Sequence, residues 1–153
     1  NGDAGAAQAL AAVDARRLTL EVTETVAFEE TTEVITTLQR LRKLGCKIAI
    51  DDFGTGSSSL SKLSRLPVDQ LKLDGSFIRE ITTSKPARAV IAAIVEMART
   101  LQVDLVAEGI ETPGQLREVQ ALGITIGQGF HLLRPAPLPE IEALLDHHGG
   151  VQL

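Results

Sequence analysis

Five short apolar segments alternate with amphipathic helical segments along this chain, and this alternation restricts the fold more than any other feature of the sequence. Strands that alternate with helices of 9 to 16 residues usually pair in parallel, because each helix returns the chain to the same end of the sheet. The sequence therefore predicts an α/β fold with a parallel sheet. The predicted strands are 18–23, 46–51, 68–74, 103–108 and 124–128, and the predicted helices are 29–44, 58–66, 86–101, 112–122 and 138–147, with the end of a further helix at 10–13. Gly45 is predicted to cap the helix 29–44, and Thr112 is predicted to be the N-cap of the next-to-last helix, with Pro113 at its first position. One face of the helix 86–101 is predicted to carry its apolar residues, Val90, Ile91, Ile94, Ala98 and Leu101.

Composition supports a single globular domain and excludes some functions. The 153 residues are 44% hydrophobic, which is enough to build a core. The net charge of −5 argues against binding to a nucleic-acid polymer through bulk positive charge. Four Phe and no Trp or Tyr leave few aromatic rings on which single-stranded bases could stack. A phosphate-bearing substrate would therefore need local positive charge, such as a metal ion.

Cysteine content and hydropathy indicate a cytoplasmic setting. The one cysteine, Cys46, cannot form a disulfide within the chain and is expected to be a small core residue. No apolar run approaches the ~18 residues of a membrane span, and no signal peptide is visible, so no membrane contact is expected from this segment.

A polar residue is expected at the C-terminal end of every predicted strand. Each has a simple explanation by itself, such as a rim ion pair or a charge near a helix N-terminus. Together they indicate a functional site, because the C-terminal ends of parallel strands converge at one mouth of a barrel. The residues are Glu21, Asp51 with Asp52, Lys72, Glu108 and Gln128.

The adjacent carboxylates of Asp51 and Asp52 are the main indication of a metal site. Two carboxylates at the end of a buried strand are costly unless a cation neutralises them, although an Asp-Gly turn with a helix cap would also place them there. Together with Glu21 they form a set of hard oxygen ligands that suits Mg²⁺ or Mn²⁺. With Lys72 to add positive charge and Glu108 to accept a proton, the set suits metal-assisted hydrolysis of a phosphodiester.

A second reading of the same residues is a lyase. Lys72 would then act as a Schiff-base or proton-abstracting group, as in aldolase-type or enolase-type chemistry. The paired aspartates and the glycine-rich loop that follows them favour the phosphodiester reading.

The motifs around these residues resemble the EAL domain, the bacterial cyclic di-GMP phosphodiesterase family. The resemblance covers roughly residues 10–145, and the motifs follow the order of the family. They are Leu20-Glu21-Val22-Thr23-Glu24-Thr25, Asp51-Asp52-Phe53-Gly54-Thr55-Gly56 with Ser58-Ser59-Leu60, Leu71-Lys72-Leu73-Asp74, Ala107-Glu108-Gly109-Ile110-Glu111-Thr112, and Gln128-Gly129-Phe130 leading to Arg134-Pro135.

The resemblance implies a role for each residue of the site. Glu21 and Asp51 would be metal ligands, with Asp51 bridging two Mg²⁺ or Mn²⁺ ions and Asp52 on the second. Lys72 would position the attacking water or the phosphate, and Glu108 would be the general base. Family members cleave one phosphodiester bond of cyclic di-GMP and release the linear dinucleotide pGpG.

Supporting residues also follow from the resemblance. Glu24 would brace the loop of Phe53, Gly54, Thr55 and Gly56, beside which phosphodiesterases of this type often form homodimers. Gln128 would help to close the metal or substrate site, and Glu111 would be a further supporting residue.

The family fold is a (β/α)₈ TIM-type barrel of ~250 residues, of which this chain matches about the last five strand–helix units. The chain is accordingly expected to be a single partial EAL domain, residues 1–153, with its motifs at about 18–135. The Glu-Ala-Leu motif and an Asn metal ligand of the family lie on earlier strands and have no counterpart upstream of Glu21. We therefore expect the 153 residues alone to be inactive and to be part of a longer signalling protein, for which a membrane anchor is one option. The alternatives are that another chain completes the barrel, or that this is a degenerate module that binds cyclic di-GMP or a protein partner without catalysis.

Overall fold

The structure is a computed structural model that describes residues 14–29, 31–56 and 60–148. Within these ranges five strands form one parallel sheet in the order β1-β2-β3-β4-β5, numbered along the chain. The predicted helix end at 10–13, and Ser58 and Ser59 at the start of the predicted second helix, lie outside the described residues. No helix in the described part of the chain has the length and apolar character needed to cross a membrane.

The first of two compact units comprises the described residues up to Lys72 together with Leu101–Val103. Strands β1 and β2 pair in parallel, with Glu21 opposite Ala49 and Thr23 opposite Asp51. A short 3-10 turn, Ala15–Arg17, precedes them. The elements are β1 (Thr19–Thr23), α1 (Glu24–Ala27), α2 (Thr32–Lys43), β2 (Lys47–Phe53), α3 (Leu60–Leu63) and β3 (Gln70–Leu73), of which Leu73 belongs to the second unit.

The second unit comprises Leu73–Thr100 and the residues from Asp104 onward. Strands β4 and β5 pair in parallel, with Val106 opposite Ile126 and Ala107 opposite Gly127. The elements after β3 are α4 (Gly75–Glu80), α5 (Lys85–Leu101), β4 (Asp104–Ala107), α6 (Pro113–Ala121), β5 (Ile126–Gly127) and α7 (Leu138–His148).

The apolar runs of the sequence become the buried strands, which confirms the α/β prediction. Ile48, Ala49 and Ile50 of β2 are fully buried, and Cys46 just before them is a core residue as predicted. Gly45, predicted to cap α2, has φ +103°, a left-handed conformation that glycine adopts without steric cost.

Three details of the predicted elements are wrong. Glu21 is the middle residue of β1, not its end, because the strand continues through Val22 and Thr23 in register with β2. Val90, predicted on the buried face of α5, is 48% exposed, and Val95 is buried instead. Two short helices, α1 and α4, are absent from the predicted order. With four and six residues they are too short to show a helical period in the sequence.

Asp74 is the N-cap of α4, and its carboxylate accepts a 2.9 Å hydrogen bond from the backbone N–H of Ser76. Hydrogen bonding from the Ser76 side chain and backbone lowers the pKa of Asp74 below its ordinary value of 3.8. The carboxylate therefore stabilises the folded state at every pH above this ordinary value, and that contribution is lost as pH falls through the lowered pKa.

We expect Asp74→Ala to reduce the free energy of unfolding by about 1 kcal/mol at pH 7, since it removes an N-cap. The difference from the wild type should stay constant down to about pH 4 and shrink in more acidic solution. Denaturant titrations across pH would measure it, with the exposed Asp146→Ala as the control. A difference that grows as pH falls would contradict this assignment.

Candidate active site

The ammonium group of Lys72 joins two carboxylates in the first unit. Lys72 Nζ lies 2.8 Å from Glu21 Oε2 and 2.8 Å from Asp51 Oδ1. The lysine is buried in β3, whereas the side chains of Glu21 and Asp51 are 49% and 28% exposed. Because a buried ammonium needs a negative partner, these two contacts account for its position. Three of the predicted site residues, on three different strands, are thus brought together.

Asp52 lies beside Asp51 in an unusual backbone conformation. Its φ is +53°, in the left-handed region that few residues other than glycine, asparagine and aspartate adopt. The carbonyl oxygen of Asp52 accepts a 3.0 Å hydrogen bond from Thr55 Oγ1. Neighbouring side chains of a regular strand point to opposite faces, and the left-handed residue interrupts that alternation. Carboxylate oxygens of Asp51 and Asp52 consequently lie within 4.8 Å of each other.

Glu24 supports the loop that follows these aspartates. It is the first residue of α1 and is buried, and its Oε2 accepts a 2.9 Å hydrogen bond from the N–H of Gly54. Gly56 lies so close to the Glu24 carboxylate that a β-carbon at position 56 would collide with it. The contact expected between Glu24 and this loop is therefore present, and the closeness of the carboxylate explains the small residue at position 56.

We expect Glu24→Ala to loosen this loop. Losing a carboxylate acceptor from this partly buried N–H costs about 1–3 kcal/mol locally, so exchange of the Gly54 amide hydrogen should accelerate by roughly tenfold or more. Hydrogen exchange followed by NMR would measure it, with Glu29→Ala as a control because Glu29 is an exposed glutamate near the same helix. Unchanged exchange at Gly54 would show that Glu24 does not hold the loop.

The second unit places Glu108 next to Gln128. Gln128 Nε2 donates a 2.6 Å hydrogen bond to Glu108 Oε1. The backbone supports this pair, because the N–H of Gln128 donates to the carbonyl of Ala107 at 2.8 Å and the N–H of Ile110 donates to the carbonyl of Gln128 at 3.1 Å. Glu108 and Gln128 directly follow β4 and β5, as the sequence predicted.

The segment after Glu108 depends on a residue that sequence reasoning missed. Gln115 is buried, and its Oε1 accepts hydrogen bonds from the N–H groups of Glu111 at 2.8 Å and Thr112 at 2.9 Å. Thr112 Oγ1 in turn accepts from the N–H of Gln115, which completes a capping box at the start of α6. The Thr-x-x-Gln spacing was the available signal for this motif, of which only the Thr cap and the Pro after it were recognised.

Glu111 and Gln128 border a cavity in the second unit. Its volume is about 530 Å³, which lies within the range of small-molecule sites. Phe130, Leu133 and Ile141 supply apolar walls. The Arg134 guanidinium adds positive charge and lies 4.6 Å from the centre of the Phe130 ring. This wall combines an aromatic face with a cation.

The chain matches the family model described as EAL domain over residues 4–135. The chain therefore belongs to the EAL domain family. Among its relatives is the cyclic di-GMP phosphodiesterase NbdA of Pseudomonas aeruginosa, which is 45% identical over 128 residues. This match covers 84% of the chain but only 16% of NbdA, and so the chain spans about a sixth of the length of that relative.

Solved structures of the family share the fold of this chain. The PaMucR phosphodiesterase in complex with c-di-GMP is 40% identical, with a TM-score of 0.83, and the match covers 91% of this chain and 57% of that one. A complex of Klebsiella pneumoniae BlrP1 with manganese and cyclic di-GMP is 35% identical, with a TM-score of 0.75, and the match covers 85% of this chain and 34% of that one.

Proposed function

We propose that this chain carries most of the catalytic residues of a metal-dependent phosphodiesterase that hydrolyses cyclic di-GMP to linear pGpG. The main support is the arrangement of Lys72 against Glu21 and Asp51, because it concentrates carboxylate oxygens around one buried cation. The proposal also rests on family membership and on relatives whose structures were solved with c-di-GMP. We further propose that the chain is one part of an EAL domain whose remaining strands complete the barrel.

The donor set fits a divalent metal of the Mg²⁺ or Mn²⁺ type. Glu21, Asp51 and Asp52 offer only carboxylate oxygens, the hard ligands that these ions prefer. The left-handed backbone at Asp52 supports this fit, since it leaves the two aspartates with oxygens close enough to share a site. When bound, the metal would supply Lewis-acid charge and an activated water.

The chain's own residues would carry the other steps. Lys72 would place its positive charge beside the phosphodiester as negative charge develops on the phosphate oxygens. Glu108 would take the proton of the attacking water as general base. The hydrogen bond from Gln128 Nε2 to Glu108 Oε1 would hold the carboxylate in place for this step. Glu111 and the cavity beside it would contact the substrate.

The ion pairs of Lys72 disfavour a Schiff-base lyase. A Schiff-base lysine attacks as an uncharged amine, whereas Lys72 Nζ lies 2.8 Å from each of two carboxylates. The arrangement suits a fixed positive charge.

Incubation of the complete EAL domain containing this chain with cyclic di-GMP and Mn²⁺ or Mg²⁺ would test the proposal. Chromatography should show conversion to pGpG, and EDTA should abolish it. Binding of cyclic di-GMP without turnover in either metal would instead identify a degenerate binding module.

A further inference from the structure

The segment from Glu108 to Thr112 links β4 to α6 and carries two carboxylates of the candidate site. It has no regular secondary structure, so its backbone needs partners from elsewhere. On one side, the N–H of Ile110 donates to Gln128 and the carbonyl of Ile110 accepts from the N–H of His131 at 2.9 Å. These bonds fix the middle of the segment against the residues that follow β5.

The C-terminal half of the segment is held from the other side by Gln115. One amide oxygen accepts from two consecutive N–H groups, those of Glu111 and Thr112, at 2.8 and 2.9 Å. The side chain is 7% exposed, so water cannot readily replace it as an acceptor. Gln115 is itself fixed by the capping box with Thr112, which ties its position to the first turn of α6.

The backbone of the segment also leaves little room for adjustment. Gly109 has φ +69°, and a β-carbon there would lie 3.2 Å from the Cα of Gly75. Three constraints therefore define the path of the segment. They are the close approach of the backbone at Gly109 to Gly75, the backbone hydrogen bonds of Ile110, and the hydrogen bonds to the Gln115 oxygen. Of these three constraints, only the last depends on a side chain that can be removed without moving a glycine or a strand.

We propose that Gln115 is a positioning residue that holds the backbone of Glu111 and Thr112 and thereby keeps the Glu108 carboxylate against Gln128. The inference concerns the catalytic geometry and so rests on the proposed hydrolysis of cyclic di-GMP. Gln115 acts through the segment, by its hydrogen bonds to the N–H groups of Glu111 and Thr112.

Two substitutions separate this role from simple stabilisation. Gln115→Met keeps the length of the side chain and removes the acceptor, whereas Gln115→Glu keeps an acceptor oxygen and the capping-box pattern. Gln120→Met is the matched control, because Gln120 is exposed on the same helix. All three changes would be made in the complete domain.

We expect Gln115→Met to accelerate exchange of the Glu111 and Thr112 amide hydrogens by about tenfold or more, with Val106 in β4 unaffected. The kcat for cyclic di-GMP hydrolysis should fall by roughly tenfold with KM changed less than about twofold. Gln115→Glu should restore both quantities, and Gln120→Met should leave both unchanged.

Several results would overturn the inference. They are unchanged exchange at Glu111 and Thr112 in Gln115→Met, a wild-type kcat despite faster exchange, equal acceleration at Val106, or no rescue by Gln115→Glu. If the wild-type domain itself shows no turnover, the proposed function fails, and exchange at Glu111 and Thr112 alone then decides whether Gln115 holds the segment.

Discussion

Glu108→Gln is expected to lower kcat for cyclic di-GMP hydrolysis by about 10³-fold, because an amide cannot take the proton of the attacking water. The substitution keeps the side-chain oxygen that accepts from Gln128 Nε2, so the local structure should persist. Affinity for cyclic di-GMP should change little. Steady-state assays with Mn²⁺ at saturating cyclic di-GMP would measure kcat, and calorimetry of the inactive variant would measure binding.

Glu142→Gln is a suitable control, since Glu142 is exposed on α7. A Glu108→Gln enzyme that retained more than about a tenth of wild-type kcat would exclude Glu108 as the general base. Loss of substrate binding in the same variant would assign Glu108 to binding instead.

Lys72→Met should affect both stability and turnover. Removing the ammonium leaves Glu21 and Asp51 without the cation that joins them. Because those carboxylates are 49% and 28% exposed, we expect a loss of about 1–2 kcal/mol in the free energy of unfolding, between the values for surface and buried ion pairs. The kcat should fall by about 10²-fold or more, since Lys72 no longer offsets charge on the phosphate.

The effect of a divalent metal on the melting temperature is a second measurement on the same variant. Mn²⁺ should raise the melting temperature of Lys72→Met more than that of the wild type, because the ion then takes over neutralisation of the two carboxylates. Lys43→Met serves as the control, since Lys43 is an exposed lysine in the last turn of α2. Equal stability of Lys72→Met and the wild type in EDTA would contradict a neutralising role for Lys72.

Periodicity and composition were sufficient to predict the architecture. The five strands and the longer helices stand out because short β-branched and apolar runs alternate with longer segments that have one apolar helical face, such as α2. Gly45 and Thr112 were predicted to cap a helix C-terminus and a helix N-terminus, because capping depends on residues that are adjacent in the sequence. The pairing of Glu108 with Gln128 was also accessible, because both follow neighbouring strands.

The parts that sequence reasoning missed depend on tertiary geometry. The extent of β1 was close to the predicted 18–23, but Glu21, expected at the end of the strand, lies in its middle, opposite Ala49 of β2. The left-handed backbone of Asp52 is unexpected for a residue assigned to a strand. The double acceptor role of Gln115 requires knowing how the segment before α6 folds back onto that helix.

The backbone of Asp52 limits which substitutions at this position can be interpreted. Asparagine and glycine can adopt the backbone conformation at position 52, where φ is +53°. A β-branched side chain cannot readily adopt it and would force the turn to rearrange. Asp52→Asn therefore removes the charge and keeps the path of the chain, and its effect can be attributed to ligand chemistry. Asp52→Val would change the charge and the path together, so alleles of that kind would say little about metal binding.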